Sequence, residues 1–520
     1  MRRTRGPILA CVLAACVIPA VASAADRSSV AGLTKPSDGG TPWTTSDIAA
    51  LRRRVDDAFA RSAGLRGAHV GLLAVDARSG AVVYARNAED EFIPASNAKL
   101  VTGSAALARL GPAFRFHTEA VSDGAIVAGV LQGPLVIRGG GDALLNETAL
   151  DDLIAALKRQ GVQRLRDAPV IDASYFDRQP YPEGWTMDDM PYDYAAVVGA
   201  ASFEENVVHL TVTPARAVGE RALVVASPYG RVDVPSEGCA PTIDVRVIPL
   251  ATTGARGSAA NLDLRRDPWG CIDVVGTIPL GAKPERLDAA VPSPAAYLRG
   301  ALLAKLAAAG IAIERTSGAM AGPIGAETFG KIPAAATATT LWTHASEPLP
   351  ELLADFWYPS DNLLGEVLLK ALGVARSGTP GSSAAGLALE TDFLRSAGVD
   401  PTTVDLYDGS GLSRYDRMTP RSLVALLRYD WRSPSRDTVL DALPVAGVRG
   451  TLAHAYVGTP SERRLFAKTG GMLDVTNLSG YLATERHGAL AFSFLIGDAL
   501  GDDGAIAQTR AQILGALIGG

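Results

Sequence analysis

Cysteine, histidine and lysine are all scarce in this chain, with 4, 6 and 8 residues among 520. No Cys-x-x-Cys, His-x-x-x-His or His-Glu-x-x-His spacing occurs, which disfavours a zinc site or a metallopeptidase. No Gly-x-Ser-x-Gly is present and no histidine lies beside a Gly-flanked serine, which disfavours a Ser-His-Asp hydrolase. An excess of positive charge is also missing. The formal net charge is −6, so a nucleic-acid partner is not expected. With 48% apolar residues and so little net charge, disorder over most of the length is excluded. The length suggests roughly three to four domains. The 8 lysines stand against 41 arginines, so a lysine at a meaningful spacing carries more information than usual.

Residues 1–24 read as a secretory signal peptide: Arg2, Arg3 and Arg5, then an apolar stretch from Pro7 to Val21, then Ala22-Ser23-Ala24 as a cleavage site. Pro19 and the small residues after it argue against an uncleaved anchor. Leu13-Ala14-Ala15-Cys16 also fits a lipoprotein cleavage box, but the apolar run continues past Cys16. Either alternative would tether the chain to the membrane, and a weak membrane association is the most that is expected otherwise. Cleavage after Ala24 takes three arginines away and moves the net charge from −6 to −9. Cys11 and Cys16 leave with the signal. The remaining pair, Cys239 and Cys271, is expected to form a disulfide in an oxidising compartment, with two free buried thiols as the alternative.

Residues 25–44 are rich in Ser, Gly, Thr and Pro and read as a flexible leader. A helix follows from about Thr45, then a hairpin over His69–Ala88, then a helix from about Ser96 to Leu110. Residues 119–334 change texture, with short strands between Gly/Pro turns, helices near 148–160 and 294–309, and a nested β-rich unit over 214–275. Helical patterns return at 347–373, 384–397 and 419–430. Strands at 464–468, 476–484 and 489–496 precede a last helix over 503–517. The order predicts an α/β domain made of residues 45–118 and 335–520, its sheet using both ends of the chain, with 119–334 as an insertion.

Three short motifs carry chemistry. Ser96-Asn97-Ala98-Lys99 at a helix start puts Ser96 and Lys99 on one face, where the amine can act as base toward a weakly nucleophilic hydroxyl. That role needs burial or a second cation to lower the lysine pKa. Ser360-Asp361-Asn362 precedes a helical stretch and, taken alone, is better explained as a helix N-cap. Lys468-Thr469-Gly470 closes the strand Leu465-Phe466-Ala467, and lysine scarcity makes it the least expected of the three by chance. Each motif alone is weak, but all three in this order are not.

The set resembles that of the penicillin-binding, active-site-serine D,D-peptidases and β-lactamases. More narrowly, the chain is similar to the class C low-molecular-mass penicillin-binding proteins, which are D-alanyl-D-alanine carboxypeptidase/endopeptidases. The likeness extends over nearly all of the mature chain. It includes Pro94-Ala95-Ser96, Gly139-Gly140-Gly141-Asp142, Ile171-Asp172, Gly184-Trp185, Asp189-Met190-Pro191, Asp408-Gly409-Ser410-Gly411-Leu412-Ser413-Arg414, Leu443-Pro444-Val445-Ala446-Gly447 and Gly450-Thr451-Leu452.

The resemblance implies a transpeptidase-type fold: an antiparallel sheet flanked by helices, a helical lobe and a large β-rich insertion. It implies Ser96 as nucleophile, Lys99 as base with Lys468 nearby, and Ser360 as proton relay. Asn362 would hold the acyl side of the substrate. Thr469 and Gly470 would meet the terminal carboxylate, and the backbone N–H groups of Ser96 and Gly471 would form the oxyanion hole. Asp172 and Arg414 are expected to meet the amine and carboxylate of a diaminopimelate-type side chain, with a strand-end turn as the alternative for Asp172. Expected partners are peptidoglycan peptides ending in D-Ala-D-Ala and β-lactams, with no cofactor and no metal. Gly471 departs from the Thr or Ser common at that position, which removes a hydroxyl near the carboxylate and spares the backbone N–H. Leu473 stands in a stretch where a relative has a polar residue near the substrate side chain. No Glu-x-x-Leu-Asn follows Ser360-Asp361-Asn362, which disfavours a β-lactamase. Intact motifs disfavour an inactive cell-wall-binding protein. A periplasmic location follows from family habit.

Overall fold

The computed structural model describes residue 33 and residues 35–62, 64–227, 230–231, 247–267, 270–315, 338–499 and 503–519. The signal segment 1–24 and Cys239 lie outside the described residues. No helix among the described residues is long and apolar enough to cross a membrane.

A five-stranded antiparallel sheet organises the catalytic part. Its spatial order is Val82–Arg86, His69–Asp76, Ala489–Gly497, Val475–Ala483 and Leu465–Met472. The central pair is buried on both faces, which is why it reads as a near-continuous apolar run instead of an alternation. Leu72, Ala74, Phe492 and Phe494 face the helices Thr45–Ala60 and Asp503–Ile518. Leu73, Val75, Ala491 and Leu495 face the other core, which includes Leu423 and Leu427 of the helix Pro420–Arg432. The first helix starts at a reciprocal capping box between Thr44 and Asp47.

The stretch expected to be a flexible leader is pinned where it is described. Trp43 stacks on His487 at 3.9 Å, the Thr41 N–H bonds the Arg486 carbonyl, and Asp38 meets both Arg436 and the Trp431 indole. The polar composition hid one aromatic anchor and one acidic one.

The stretch 119–334 expected as an insertion is bracketed by a strand pair, His117–Ser122 antiparallel to Thr339–Ala345. Val136–Arg138 and Val170–Asp172 extend that sheet. The β-rich unit is wider than 214–275. Val207–Thr213 bonds both Leu223–Ser227 and Glu285–Ala290, so flanking segments complete its sheet. The expected helix 347–373 is two helices, Leu349–Trp357 and Asn362–Ser377. The break carries Ser360 at φ +69, where an L-residue is disfavoured, and it turns that hydroxyl out of the helical path.

Candidate active site

Ser96 lies in a tight 3₁₀ turn, Ala95–Ala98, that runs directly into the helix Lys99–Arg109. One turn therefore separates hydroxyl and amine, and Lys99 Nζ stands 3.0 Å from Ser96 Oγ. The amine also donates to Asn362 Oδ1 at 2.5 Å and to the Ser410 carbonyl at 2.7 Å. Lys468 donates to Ser360 Oγ at 2.8 Å and to the Thr469 carbonyl at 3.0 Å. Thr469 Oγ1 donates to Thr451 Oγ1 at 2.8 Å. The residues of the three motifs, remote in sequence, thus form two lysine–serine pairs, with Asn362 bonded to the first.

Lys99 is fully buried, and burial pushes its pKa down to about 8, while Asp408, Asp361, Glu366 and Asp416 pull it back up. A lysine poised there supplies neutral amine at working pH, which arginine cannot do. Burial in turn raises the Glu366, Asp361 and Asp416 carboxyls above their ordinary range.

The strand Leu465–Met472 is the outer strand of the sheet. Its Ala467 N–H points away from the sheet, to the Pro444 carbonyl. Alternation along an antiparallel strand turns the N–H groups of Thr469 and Gly471 to that same open edge. Gly470 is paired with Asn477, whose side chain reaches across to the Ile93 and Pro94 carbonyls at 2.8 and 2.9 Å. A Cβ on Gly470 would stand 2.5 Å from Asn97 Nδ2 and 2.8 Å from the Pro94 carbonyl. The missing side chain is what lets the Ser96 turn seat on this strand.

No described hydrogen bond or ion pair joins Asp172 to this group. It ends the strand Val170–Asp172, accepts the Ser174 N–H at 3.0 Å and faces the Arg138 guanidinium at 3.9 Å. Of the acids in the 119–334 stretch, Asp193 and Glu205 interact electrostatically with Asp361, and Asp189 is joined to Asn362 through Tyr194. Asp189 Oδ1 accepts from Tyr194 Oη at 3.0 Å, and the Tyr194 carbonyl accepts from Asn362 Nδ2 at 2.7 Å. Asp189-Met190-Pro191 was among the segments that carry the family likeness, but nothing local marked it as the nearer acid. Arg414 is exposed at the seam, with its N–H on the Gly184 carbonyl. Leu473 is 56% exposed beyond the strand end.

Behind the nucleophile helix lies Glu390, fully buried, its carboxyl pushed up to about 8 by burial. Thr102, whose hydroxyl donates to the Gly409 carbonyl at 2.8 Å, lies beside it and pulls that pKa partly back down. In the unfolded chain this group titrates at about 4.3. Between those two values the unfolded state has lost the proton and the folded state keeps it, so stability falls as pH rises through the window and levels off above it. Glu390→Gln should remove this dependence. Thermal unfolding is expected to show the variant gaining on the native chain by more at pH 8 than at pH 5; an equal offset at both would contradict this account.

A buried lysine beside a half-buried serine, under a Lys-Thr-Gly outer strand, defines an active-site-serine peptidase fold. The model of the D-Ala-D-Ala carboxypeptidase 3 (S13) family matches residues 51–516, and the chain belongs to that family. It is 35% identical over 456 residues to the D-alanyl-D-alanine carboxypeptidase of Actinomadura sp. (strain R39), covering 84% of this chain and 79% of the relative. It is 26% identical over 449 residues to the D-alanyl-D-alanine carboxypeptidase DacB of Haemophilus influenzae, covering 84% and 87%. The crystal structure of penicillin binding protein 4 from Haemophilus influenzae shares the fold, with a TM-score of 0.74 at 24% identity over 89% of this chain and 99% of that one. The expected transpeptidase-type architecture is therefore the one observed.

Proposed function

We propose that this serine-type D-Ala-D-Ala carboxypeptidase works through an acyl-enzyme on Ser96. The observation that carries the proposal is the buried Lys99 amine 3.0 Å from Ser96 Oγ. Neutral Lys99 takes the Ser96 proton as Oγ attacks the carbonyl of the penultimate D-Ala. The outward N–H of Gly471, with that of Ser96, receives the developing oxyanion. Ser360, held by Lys468, passes a proton to the departing amine. The substrate's end lies along the outer strand as an added strand, its terminal carboxylate at Thr469 and Gly470 near the charge of Lys468. Water then releases the acyl group. Where the departing amine belongs to a cross-linked peptide, the same steps make an endopeptidase, and a β-lactam acylates the same oxygen.

Asp189 is the better candidate than Asp172 for meeting an amine on the substrate's side chain, since Tyr194 alone bridges it to Asn362. Arg414 at the same seam would meet that side chain's carboxylate. Export through the 1–24 signal to the envelope, a periplasmic location, and the split catalytic domain with its insertion belong to the same proposal. So does a disulfide between Cys239 and Cys271, supported by the bonded state of buried Cys271.

Fluorescent penicillin labelling followed by peptide mass spectrometry tests the reading, together with D-Ala release from a pentapeptide and from a cross-linked muropeptide. A stable adduct on the Ser96 peptide is expected. No adduct, or one elsewhere, overturns the assignment, and rapid loss of the adduct would make the chain a β-lactamase.

A further inference from the structure

We infer that the inserted stretch from Gly184 to Tyr194 positions the Lys99 amine, acting through Asp408 on one side and Asn362 on the other. The inference rests on Ser96 being acylated with Lys99 as its base.

A neutral amine has two N–H groups and one lone pair. Around Lys99 Nζ stand three oxygens: Asn362 Oδ1 at 2.5 Å, the Ser410 carbonyl at 2.7 Å and Ser96 Oγ at 3.0 Å. The first two only accept, so they claim the two N–H groups, and the lone pair is left pointing at the Ser96 hydroxyl proton. Catalysis by this base depends on those two acceptors staying in place. Both are held by the insertion, the Ser410 carbonyl through Asp408 and Asn362 directly.

On one side, the Trp185 indole N–H donates to Asp408 Oδ2 at 2.8 Å, and the whole Asp408 side chain is buried. The same carboxylate accepts the Gly411 N–H at 2.6 Å, the Ser413 N–H at 2.7 Å and Ser410 Oγ at 3.2 Å. These bonds fix the turn whose Ser410 carbonyl holds Lys99. The turn has no slack: Gly411 has φ +78, and a Cβ there would come 2.0 Å from the Ala95 carbonyl, next to the nucleophile. On the other side, the Tyr194 carbonyl accepts one Asn362 Nδ2 proton at 2.7 Å. That bond decides which end of the amide faces Lys99 and leaves its second N–H for substrate. Trp185 and Tyr194 thus restrain Lys99 from two directions, and neither residue touches Ser96 or Lys99 in a described hydrogen bond.

The charged groups facing Lys99 are Asp361 and Glu366 at the start of the Asn362–Ser377 helix and Asp408 and Asp416 around the turn. Asp408 therefore both shapes the turn and favours the ammonium form. Trp185 does only the first.

The test uses the full chain and time-resolved acylation by a fluorescent penicillin, which separates the dissociation constant from the acylation rate constant. Trp185→Phe keeps the ring and removes the N–H. It should lower the rate constant by roughly ten- to a hundredfold with the dissociation constant unchanged. Asp408→Asn should lower it similarly and also shift the acid limb of the rate profile to lower pH, because a negative charge favouring the ammonium has gone. The double variant should lose no more than Asp408→Asn alone, since Trp185 acts through Asp408. A native rate constant in Trp185→Phe, or a weakened dissociation constant at a native rate constant, would overturn the inference, the latter reducing the segment to a wall of the cleft. If Trp185→Phe does not fold, a native acylation rate constant in Asp408→Asn overturns the inference in its place. A native chain that is not acylated at Ser96 would instead reject the acyl-enzyme reading itself.

Discussion

Replacing Lys99 with arginine should slow acylation of Ser96 by about 10²–10⁴-fold, although the charge and the long apolar stem are kept. Lysine is useful here because it can shed a proton. Burial brings its pKa down to about 8, so a fraction of the amine is neutral near neutrality and most of it is neutral above that point. The native rate should therefore rise with pH through a limb near 8 and flatten beyond it. A guanidinium stays protonated throughout and offers no lone pair. It is also planar, and its fork cannot satisfy Asn362 Oδ1 and the Ser410 carbonyl while facing Ser96 with a basic atom. The readout is the acylation rate constant against pH. The arginine variant should lack the limb at 8 as well as the rate, and a variant that kept a limb there would show that another group is the base.

Gly470→Ala is the second large effect. One methyl group placed 2.5 Å from Asn97 Nδ2 and 2.8 Å from the Pro94 carbonyl has to push backbone, because Asn477 already clasps Ile93 and Pro94 from the neighbouring strand. Overpacking of this kind costs roughly 1–3 kcal/mol of stability. The catalytic loss should be larger. The clash lies between the turn carrying Ser96 and the strand carrying the Gly471 N–H, the two groups whose spacing sets the oxyanion site. A displacement near 1 Å there costs about a hundredfold in rate. Acylation kinetics beside thermal unfolding separate the two effects. A near-native rate in a destabilised variant would mean that the turn shifts without consequence.

The parts of the site legible in the sequence were those encoded by local spacing. Ser96 and Lys99 are one helical turn apart, and Lys468-Thr469-Gly470 lies on a strand that runs to Met472, past the expected end at 468, so each group is placed by secondary structure alone. Most of the central sheet was legible for the same reason, since its apolar runs are long. What escaped were features decided by tertiary placement. Asp172 and Asp189 both lie in family-like segments, and the hydrogen bonds that join Asp189 to Tyr194 and Tyr194 to Asn362 are long-range pairings that no local pattern marks. The break at Ser360 was hidden because apolar spacing runs on through both helices, and Pro359 alone did not mark the positive φ that follows. The pinned leader was hidden because a single tryptophan outweighs a polar composition.

The sheet order has a consequence for how the molecule comes into being. The strand His69–Asp76 is made early and pairs along its whole length with Ala489–Gly497, which is made near the end. Until that late segment arrives, one edge of an almost wholly apolar strand stays open. Such long-range closure makes assembly slow and leaves the growing chain prone to sticking to its neighbours. It also acts as a safeguard. Ser96 and Lys99 exist together as soon as their helix forms, but Lys468 and the outer strand that receives substrate come only with the last tenth or so of the chain. A cell-wall-cutting machine built in this order has no edge until it is finished.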